Sequence, residues 1–324
     1  MRAIIIRNPT SGSSPMASQA APAGQNEIED RILNNLRHYH IEAEVRYTTA
    51  DDPGAGLARE AAQAGIELII AAGGDGTLHS VASGLIGSKS ILGILPCGTM
   101  NNIAHSLHIS EDIDEACQVI AEGKTGCIDV GSINGQIFLE VSGIGLEAAL
   151  FPAAEDIKSS GFRETIRGMI NGIHILFSFH PERVKITFDD GHTRSYRALQ
   201  VSVCNSPFYG AHLQFAPQAV MDDGYLDILI YQNFNKLEYI LHAIAISQGR
   251  RVFEPKVKRR RIKKLYITAR TPLSLHADGE QIGTTPAKIE IIPAALRVRI
   301  PQRVIDSANI SQHQPLTPAR RAYT

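Results

Sequence analysis

The first residues in the chain whose types and spacing could do chemistry are Gly73-Gly74-Asp75-Gly76-Thr77. They follow an apolar run at 68–72 and precede Leu78, Val81, Ala82 and Leu85, which recur at helical spacing. A strand, a tight glycine turn and a helix start leave several backbone N–H groups unpaired and pointing one way, with the positive end of the helix dipole behind them. Glycine admits positive φ and lets an anion approach the backbone, because no Cβ intervenes. The expectation is a phosphate cradle. Asp75 places a carboxylate inside it, which requires a metal or a polar nucleotide group as balance. An ordinary strand–helix turn uses the same glycines, so this motif decides nothing alone.

Two further polar turns end apolar runs in the same way. Asn8-Pro9-Thr10-Ser11-Gly12 follows the run at 3–6, and Pro96-Cys97-Gly98-Thr99-Met100-Asn101-Asn102 follows the run at 90–95. Between and after them the chain reads as helices: Ile28, Ile32, Leu33 and Leu36 in one, an Ala-rich segment at 57–64 closed by Gly65 in the next. Residues 44–48 alternate like a strand, and Ser110 is expected to cap a helix that turns Ile113, Ala116, Cys117 and Ile120 inward. Strands alternating with helices make a doubly wound parallel sheet. Ligands of such sheets lie beyond the carboxyl ends of the strands. All three polar turns lie at such ends, and their convergence on one rim carries more weight than any one of them.

After about residue 129 the pattern changes. Segments at 184–188, 198–203, 225–231, 265–269, 288–292 and 296–300 read as strands, with Asp190-Gly191 as a hairpin turn. The expectation is a mostly antiparallel β sandwich or open barrel. Two helices interrupt it, one with Ile166, Met169, Ile170, Ile173 and Phe177, the other with Leu237, Ile240, Leu241, Ile244 and Ile246. Both apolar faces are expected to pack into the core.

Composition bounds what these elements can serve. A chain of 324 residues with 44% apolar content can fill about two cores. Lys and Arg number 32 against 33 Asp and Glu, so no global charge draws the chain to nucleic acid. Cys97, Cys117, Cys127 and Cys204 lack metal-site spacing and read as reduced thiols. No signal-peptide core opens the chain, and no apolar run of the roughly 18 residues a span needs is present. The expected location is cytoplasmic, with contact at the inner membrane face. One basic cluster, Lys256, Lys258, Arg259, Arg260, Arg261, Lys263 and Lys264, either docks on an anionic leaflet or guards a strand edge. It lacks the interleaved aromatics of nucleic-acid binders.

Asn8-Pro9-Thr10-Ser11-Gly12, Gly73-Gly74-Asp75-Gly76-Thr77-Leu78 and Leu95-Pro96-Cys97-Gly98-Thr99-Met100-Asn101-Asn102, taken together, resemble the diacylglycerol kinase catalytic domain. Asp222-Asp223-Gly224-Tyr225-Leu226-Asp227 and Asp278-Gly279-Glu280 look like the C-terminal motifs of the same family, which is related to sphingosine and ceramide kinases. The glycine motif is shared with NAD kinases and phosphofructokinases; all five motifs in order are specific. The resemblance covers roughly residues 1–300 and implies an ATP- and Mg²⁺-dependent lipid kinase that phosphorylates a hydroxyl of a diacylglycerol-like lipid. With the change of pattern near 129 it implies a nucleotide-binding α/β domain at 1–129 and a β-rich lipid domain with helical insertions at 130–301; by composition, the Ser/Pro/Ala-rich residues 13–24 are expected to be mobile and the polar, Pro-containing tail at 302–324 disordered.

By the same resemblance, Asn8, Pro9, Thr10, Ser11, Gly12, Gly73, Gly74, Asp75, Gly76 and Thr77 hold the ATP phosphates, with contacts from Thr48 and Thr99. Asp223, with the carbonyls of Val220 and Tyr225, holds a supporting Mg²⁺. Asp278 or Glu280 takes the proton from the lipid hydroxyl; on an extended chain the two would share a face. The implied partners are a lipid substrate, a transient membrane surface and no nucleic acid, and a homodimer is compatible with this reading. Two departures stand out. The family follows its glycine motif with Asn-Glu, where this chain has His79-Ser80, and it has Gly-Asn-Asp where this chain has Met100-Asn101-Asn102. Losing two carboxylates leaves open an NAD kinase-like phosphotransferase or a catalytically silent nucleotide- or lipid-binding protein.

Overall fold

The computed structural model describes residues 1–9, 23–150, 162–210, 213–250, 253 and 256–302. The first half alternates as expected: β1 (Arg2–Arg7), α1 (Ala23–His38), β2 (Glu42–Tyr47), α2 (Ala55–Gln63), β3 (Leu68–Gly73), α3 (Asp75–Leu85), β4 (Ile91–Pro96), α4 (Asn102–Ser106) and α5 (Ile113–Glu122). The second half is mainly strands: β5 (Lys124–Ile133), β6 (Gln136–Phe138) and β7 (Val141–Gly145), then α6 (Phe162–Ser178). β8 (Glu182–Phe188), β9 (Thr193–Cys204), β10 (Phe208–Tyr209), β11 (Leu213–Gln214) and β12 (Leu226–Gln232) precede α7 (Lys236–Ser247). β13 (Val257–Ile262), β14 (Lys264–Ala269), β15 (Ser274–Ala277), β16 (Glu280–Thr284) and β17 (Ala287–Ile300) complete it.

β3 and β4 are buried at every position, as parallel strands covered on both faces must be. They run in the order β4-β3-β1-β2, all pairs parallel. That order leaves the carboxyl ends of β1, β3 and β4 side by side, and the three polar turns leave from there. Helix α5 is capped by Asp112, whose side chain accepts from the N–H groups of Asp114 and Glu115. Ser110, the expected cap, instead accepts one bond from the Asp112 N–H.

The second half is antiparallel and sandwich-like, and its sheet is continuous with the first. The main path runs β16-β15-β7-β9-β8-β14-β17 and then into β4. β17 makes the join. It pairs antiparallel with β14 and β5, and parallel with β4 at Arg297 and Val298. The segments expected as two strands, 288–292 and 296–300, form this single strand, which shifts register between Ile292 and Leu296. The shift is local: Ala294 adopts a positive φ of 49°, and its N–H turns to the Asp129 carboxylate at 2.7 Å. The boundary expected at 129 falls inside β5.

β13 pairs only with β12 among the described strands, so it is a sheet edge. Two of its arginines, and Lys256 just before it, have carboxylate partners within the chain. Arg260 meets Asp190 at 2.6 Å over the Phe188 ring, Arg261 pairs with Asp223 over Tyr225, and Lys256 pairs with Glu238 at 2.6 Å. That pattern fits a charged guard on an open edge. The expected burial of the two helical apolar faces is corrected at several positions. On α6, Ile170, Ile173 and Phe177 are exposed, and on α7 Leu237, Leu241 and Ile244 are exposed. Both helices are held by other residues, Ile175 and Leu176 from one, Tyr239 from the other, packed on a third apolar cluster. Residues 13–22 and 303–324 lie outside the described residues, while residues 23 and 24 begin α1.

Because Leu296 sits in the first core but on the strand that also completes the second half, it should couple the two. Leu296→Ala is expected to cost about 2–5 kcal/mol in chemical denaturation, the usual range for a buried leucine. Hydrogen exchange should accelerate in β4 and β5 together.

Candidate active site

The three turns converge as the sequence pattern requires, and backbone hydrogen bonds lock them. The Asn8 N–H donates to Ala72 O at 3.1 Å, Cys97 N–H to Gly73 O at 3.0 Å and Thr48 N–H to Arg7 O at 2.9 Å. Gly74 precedes α3 with extended backbone and offers no side-chain cap, the kind of helix start that suits an anion. The second glycine turn presses on the first. A Cβ at Gly98 would lie 2.3 Å from the Gly74 Cα, so position 98 admits only glycine. Asn101 holds that turn in shape, accepting from Gly98 N–H and donating to Gly98 O, both at 3.0 Å.

A cleft of about 510 Å³ opens against these turns, a size suited to a nucleotide. Asn8, Pro9, Thr48, Gly76 and Thr77 line it, and Glu280 lines it from the second half. Gly73, Gly74 and Asp75 form the turn without lining the cleft, and Thr99 is exposed outside it. Thr10, Ser11 and Gly12 fall outside the described residues.

The Asp75 carboxylate accepts from the N–H groups of Asn102 at 3.1 Å and Ile103 at 3.2 Å, at the start of α4. Two helix N–H donors meet this carboxylate, and the bonds tie the first glycine turn to the second.

Asp278 and Glu280 are separated by the fold, and the shared face expected for them does not form. Asp278 and Gly279 have φ of 46° and 94° and make the two-residue turn between β15 and β16, with Ala277 opposite Glu280. The Asp278 carboxylate is fully engaged. It accepts from the N–H groups of Leu139 at 2.6 Å, Glu140 at 2.9 Å and Val141 at 3.0 Å, and it meets His79 Nδ1 at 2.8 Å. No described residue pairs with the Glu280 carboxylate, which is exposed to the cleft. Of the two, Glu280 is therefore the one free to take a proton.

His79 thus links α3 of the first half to the β15–β16 turn of the second. Burial works against its charged form, but the hydrogen bond and charge of Asp278, with the charge of Glu280, outweigh it and raise its pKa above 6.5. The sequence gives no local sign of this contact, since 199 residues separate the partners.

Glu140 was not anticipated. It is 3% exposed, lies beside Asn102, and lines a second, small cavity of about 40 Å³ together with Asp75, His79, Asp278 and Glu280. Burial, then the charges of Asp75 and Asp278, push its carboxyl well above the usual range against a lowering hydrogen bond from Asn102. A single acid inside the apolar run Ile137-Phe138-Leu139-Glu140-Val141 was the signal available.

The loop expected to hold a metal is organised by Asp129. That carboxylate accepts from Gly224 N–H at 2.6 Å, and the Asp129 N–H donates to Met221 O at 2.6 Å. Asp223 accepts from Tyr225 N–H at 2.9 Å and pairs with Arg261. Burial raises the Asp222 and Asp223 pKa values, and neighbouring carboxylates add to it: Asp129 at Asp222, and Asp129 with Asp222 at Asp223, where Arg261 opposes. A loop carrying that excess of negative charge, with exposed Val220 and Tyr225 beside it, has the oxygen donors that suit a hard cation. Among the described residues no group of three or more His, Cys, Asp or Glu side chains is placed to hold a metal, so carbonyls and water would complete the set.

Residues 2–133 match the family model of the diacylglycerol kinase catalytic domain, and residues 141–300 match that of the YegS C-terminal NAD kinase beta sandwich-like domain. The chain is 30% identical over 284 residues to a Klebsiella pneumoniae protein named "Probable lipid kinase YegS-like", covering 86% of this chain and 93% of that one. The chain belongs to the diacylglycerol kinase family. It is also 29% identical to the diacylglycerol kinase of Bacillus subtilis, over 93% of this chain and 97% of the relative. A diacylglycerol kinase structure from Bacillus anthracis shares the fold with a TM-score of 0.70 at 23% identity, covering 94% of this chain and 98% of that structure. Within the family pattern, the usual Asn-Glu is replaced by a histidine that bridges the two halves and by Ser80 on the cleft wall.

Two measurements test this geometry. Glu280→Gln is expected to keep its stability and nucleotide binding while turnover falls roughly 10²–10⁴-fold, the range for lost acid–base help. Asp278→Asn turns an amide toward backbone donors and should destabilise the protein by about 1–3 kcal/mol, as unsatisfied buried donors do. Normal stability of Asp278→Asn, or normal turnover of Glu280→Gln, would reverse these assignments. The second concerns pH. Folding raises the His79 pKa, so the stability this contributes is fully present below 6.5 and is lost as pH rises through the folded value. His79→Gln should flatten that decline, read as denaturation midpoints from about pH 6.5 upward.

Proposed function

We propose that the protein transfers the γ-phosphoryl group of ATP to a hydroxyl of a diacylglycerol-like lipid, with Mg²⁺. The observation that carries this reading is the placing of Glu280 and the open glycine turn on one cleft, although they come from opposite halves of the chain. Phosphoryl transfer needs positioned phosphates, charge neutralisation and a carboxylate for the acceptor proton. The N–H groups at the start of α3, with Thr77, Asn8 and Thr48, are suited to hold the phosphates. Glu280 takes the hydroxyl proton as the lipid oxygen bonds to the γ-phosphorus, and the bond to the β-phosphate oxygen breaks to release ADP. Asp278 and His79 hold the turn that carries Glu280. Asp223 and the carbonyls of Val220 and Tyr225 would hold a Mg²⁺ that stiffens the 220–225 loop and offsets its acidic charge. The names of the relatives support a lipid acceptor, and the family membership favours this reading over an NAD kinase-like one.

A lipid acceptor implies reversible contact with a membrane surface. No helix among the described residues is long and apolar enough to cross one. Since Lys256, Arg260 and Arg261 of the basic cluster have internal carboxylate partners, the apolar residues exposed on α6 and α7 are the better contact. The deciding assay is purified protein with labelled ATP, Mg²⁺ and a lipid panel that includes diacylglycerol, sphingoid and glycerol acceptors, with NAD as a control. Labelled phosphate in a diacylglycerol-like lipid is expected; label in NAD alone, or none with any acceptor, would remove the proposal.

A further inference from the structure

The small cavity beside the cleft holds a carboxyl that the reaction outlined above does not use. Glu140 is fixed through its backbone on both sides. Its N–H donates to Asp278 at 2.9 Å, and its carbonyl accepts from Asn205 and Ser206 at 2.8 and 3.2 Å. Its side chain is therefore aimed by the same contacts that place the Asp278–Gly279 turn. The carboxyl is buried beside Asn102, and its Oε2 has no hydrogen-bond partner among the described residues. A buried unpartnered oxygen of this kind costs free energy unless something meets it. The cavity it lines also contains Glu280, the one uncommitted carboxylate of the cleft, and its volume of about 40 Å³ is near that of a single small polar group.

Position 102 sharpens this. The family pattern places a carboxylate there, and this chain has an amide. Glu140, from β-rich sequence 38 residues later, brings a carboxyl beside that amide.

We propose that Glu140 is a substrate-contacting residue for the acceptor alcohol: its Oε2 and the Glu280 carboxylate grip the same hydroxyl in the small cavity. The inference rests on the lipid kinase reading and adds to it a second point of recognition. The division of labour follows from the surroundings. Asp75 and His79 on α3, Asp278 and Glu280 at the β15–β16 turn and the buried phenol of Tyr209 on β10 face Glu140, and Asn102 on α4 adds an uncharged dipole. Burial among those carboxylates favours the protonated form of Glu140, and in that form it donates to the hydroxyl oxygen while Glu280 accepts the hydroxyl proton. A group that offers both a donor and an acceptor at one oxygen selects a free alcohol over an ester or an ether.

The test compares wild type, Glu140→Gln and Glu140→Leu, with a short-chain 1,2-diacylglycerol as the probe. Calorimetric titration measures lipid binding and ATP binding separately, thermal unfolding reports folding, and turnover is recorded in parallel. Glu140→Gln keeps a donor of the same reach and is expected to bind the lipid within about threefold of wild type. Glu140→Leu should bind it roughly tenfold or more weakly with ATP binding unchanged, as for a lost donor to a buried oxygen. Wild-type lipid binding should weaken at alkaline pH, as Glu140 ionises, and that of Glu140→Gln should not. Lipid binding by Glu140→Leu equal to wild type, a glutamine variant as weak as the leucine one, or wild type that does not bind the probe would each overturn the assignment. A wild type that binds the lipid without phosphorylating it would sink the kinase reading alone and leave the contact standing.

Discussion

The structure depends on one carboxylate, that of Asp278. Asp278 collects three consecutive backbone N–H groups at 139–141 and the imidazole of His79. Neighbouring N–H groups in an irregular segment have no strand partner and would be costly to bury unpaired. The carboxylate satisfies them, and in doing so it fixes the start of β7, the β15–β16 turn and helix α3 relative to one another. Glu280 inherits its place from that arrangement. A carboxylate that carries such bonds is held in place as an acceptor; in the proposed reaction the anchoring and the proton transfer fall on two acids two residues apart.

The first half solves a related problem with small residues. Two glycine turns lie so close that a side chain at Gly98 would occupy the Gly74 Cα, and Asp75 bonds to the start of α4 across the same gap. The first glycine turn is thus stiffened by the second. The residue before helix α3 is a glycine, with no side chain to cap the helix start.

How much of this was legible in the sequence depends on range. The alternation of buried strands with helices gave β1, β3, β4 and α3 to within a residue or two at the strand ends, because period and burial are local properties. The three turns at the sheet rim followed from the same pattern. What escaped was set by distant partners. Nothing near Asp75 announces that the start of α4 will meet it, nothing near His79 announces Asp278, and the left-handed φ of Asp278 abolishes the strand geometry that would have paired it with Glu280. Glu140 and Asp129 each stand alone in apolar sequence, which marks a buried acid without naming its neighbours. The exposed faces of α6 and α7 were misjudged because an apolar stripe on a helix shows what it avoids, not which surface will cover it.

The position of β17 bears on how the chain is made. The fully apolar strand β4 has β3 on one side and, on the other, Arg297 and Val298 of a strand that leaves the ribosome some two hundred residues later. During synthesis, then, the first half cannot complete its own sheet. It waits with one hydrophobic edge bare until nearly the whole chain has emerged. Such long-separation pairing is slow, and a bare edge invites foreign strands. The arrangement makes the molecule's two halves finish folding together and exposes the nascent chain to chaperones through most of its elongation.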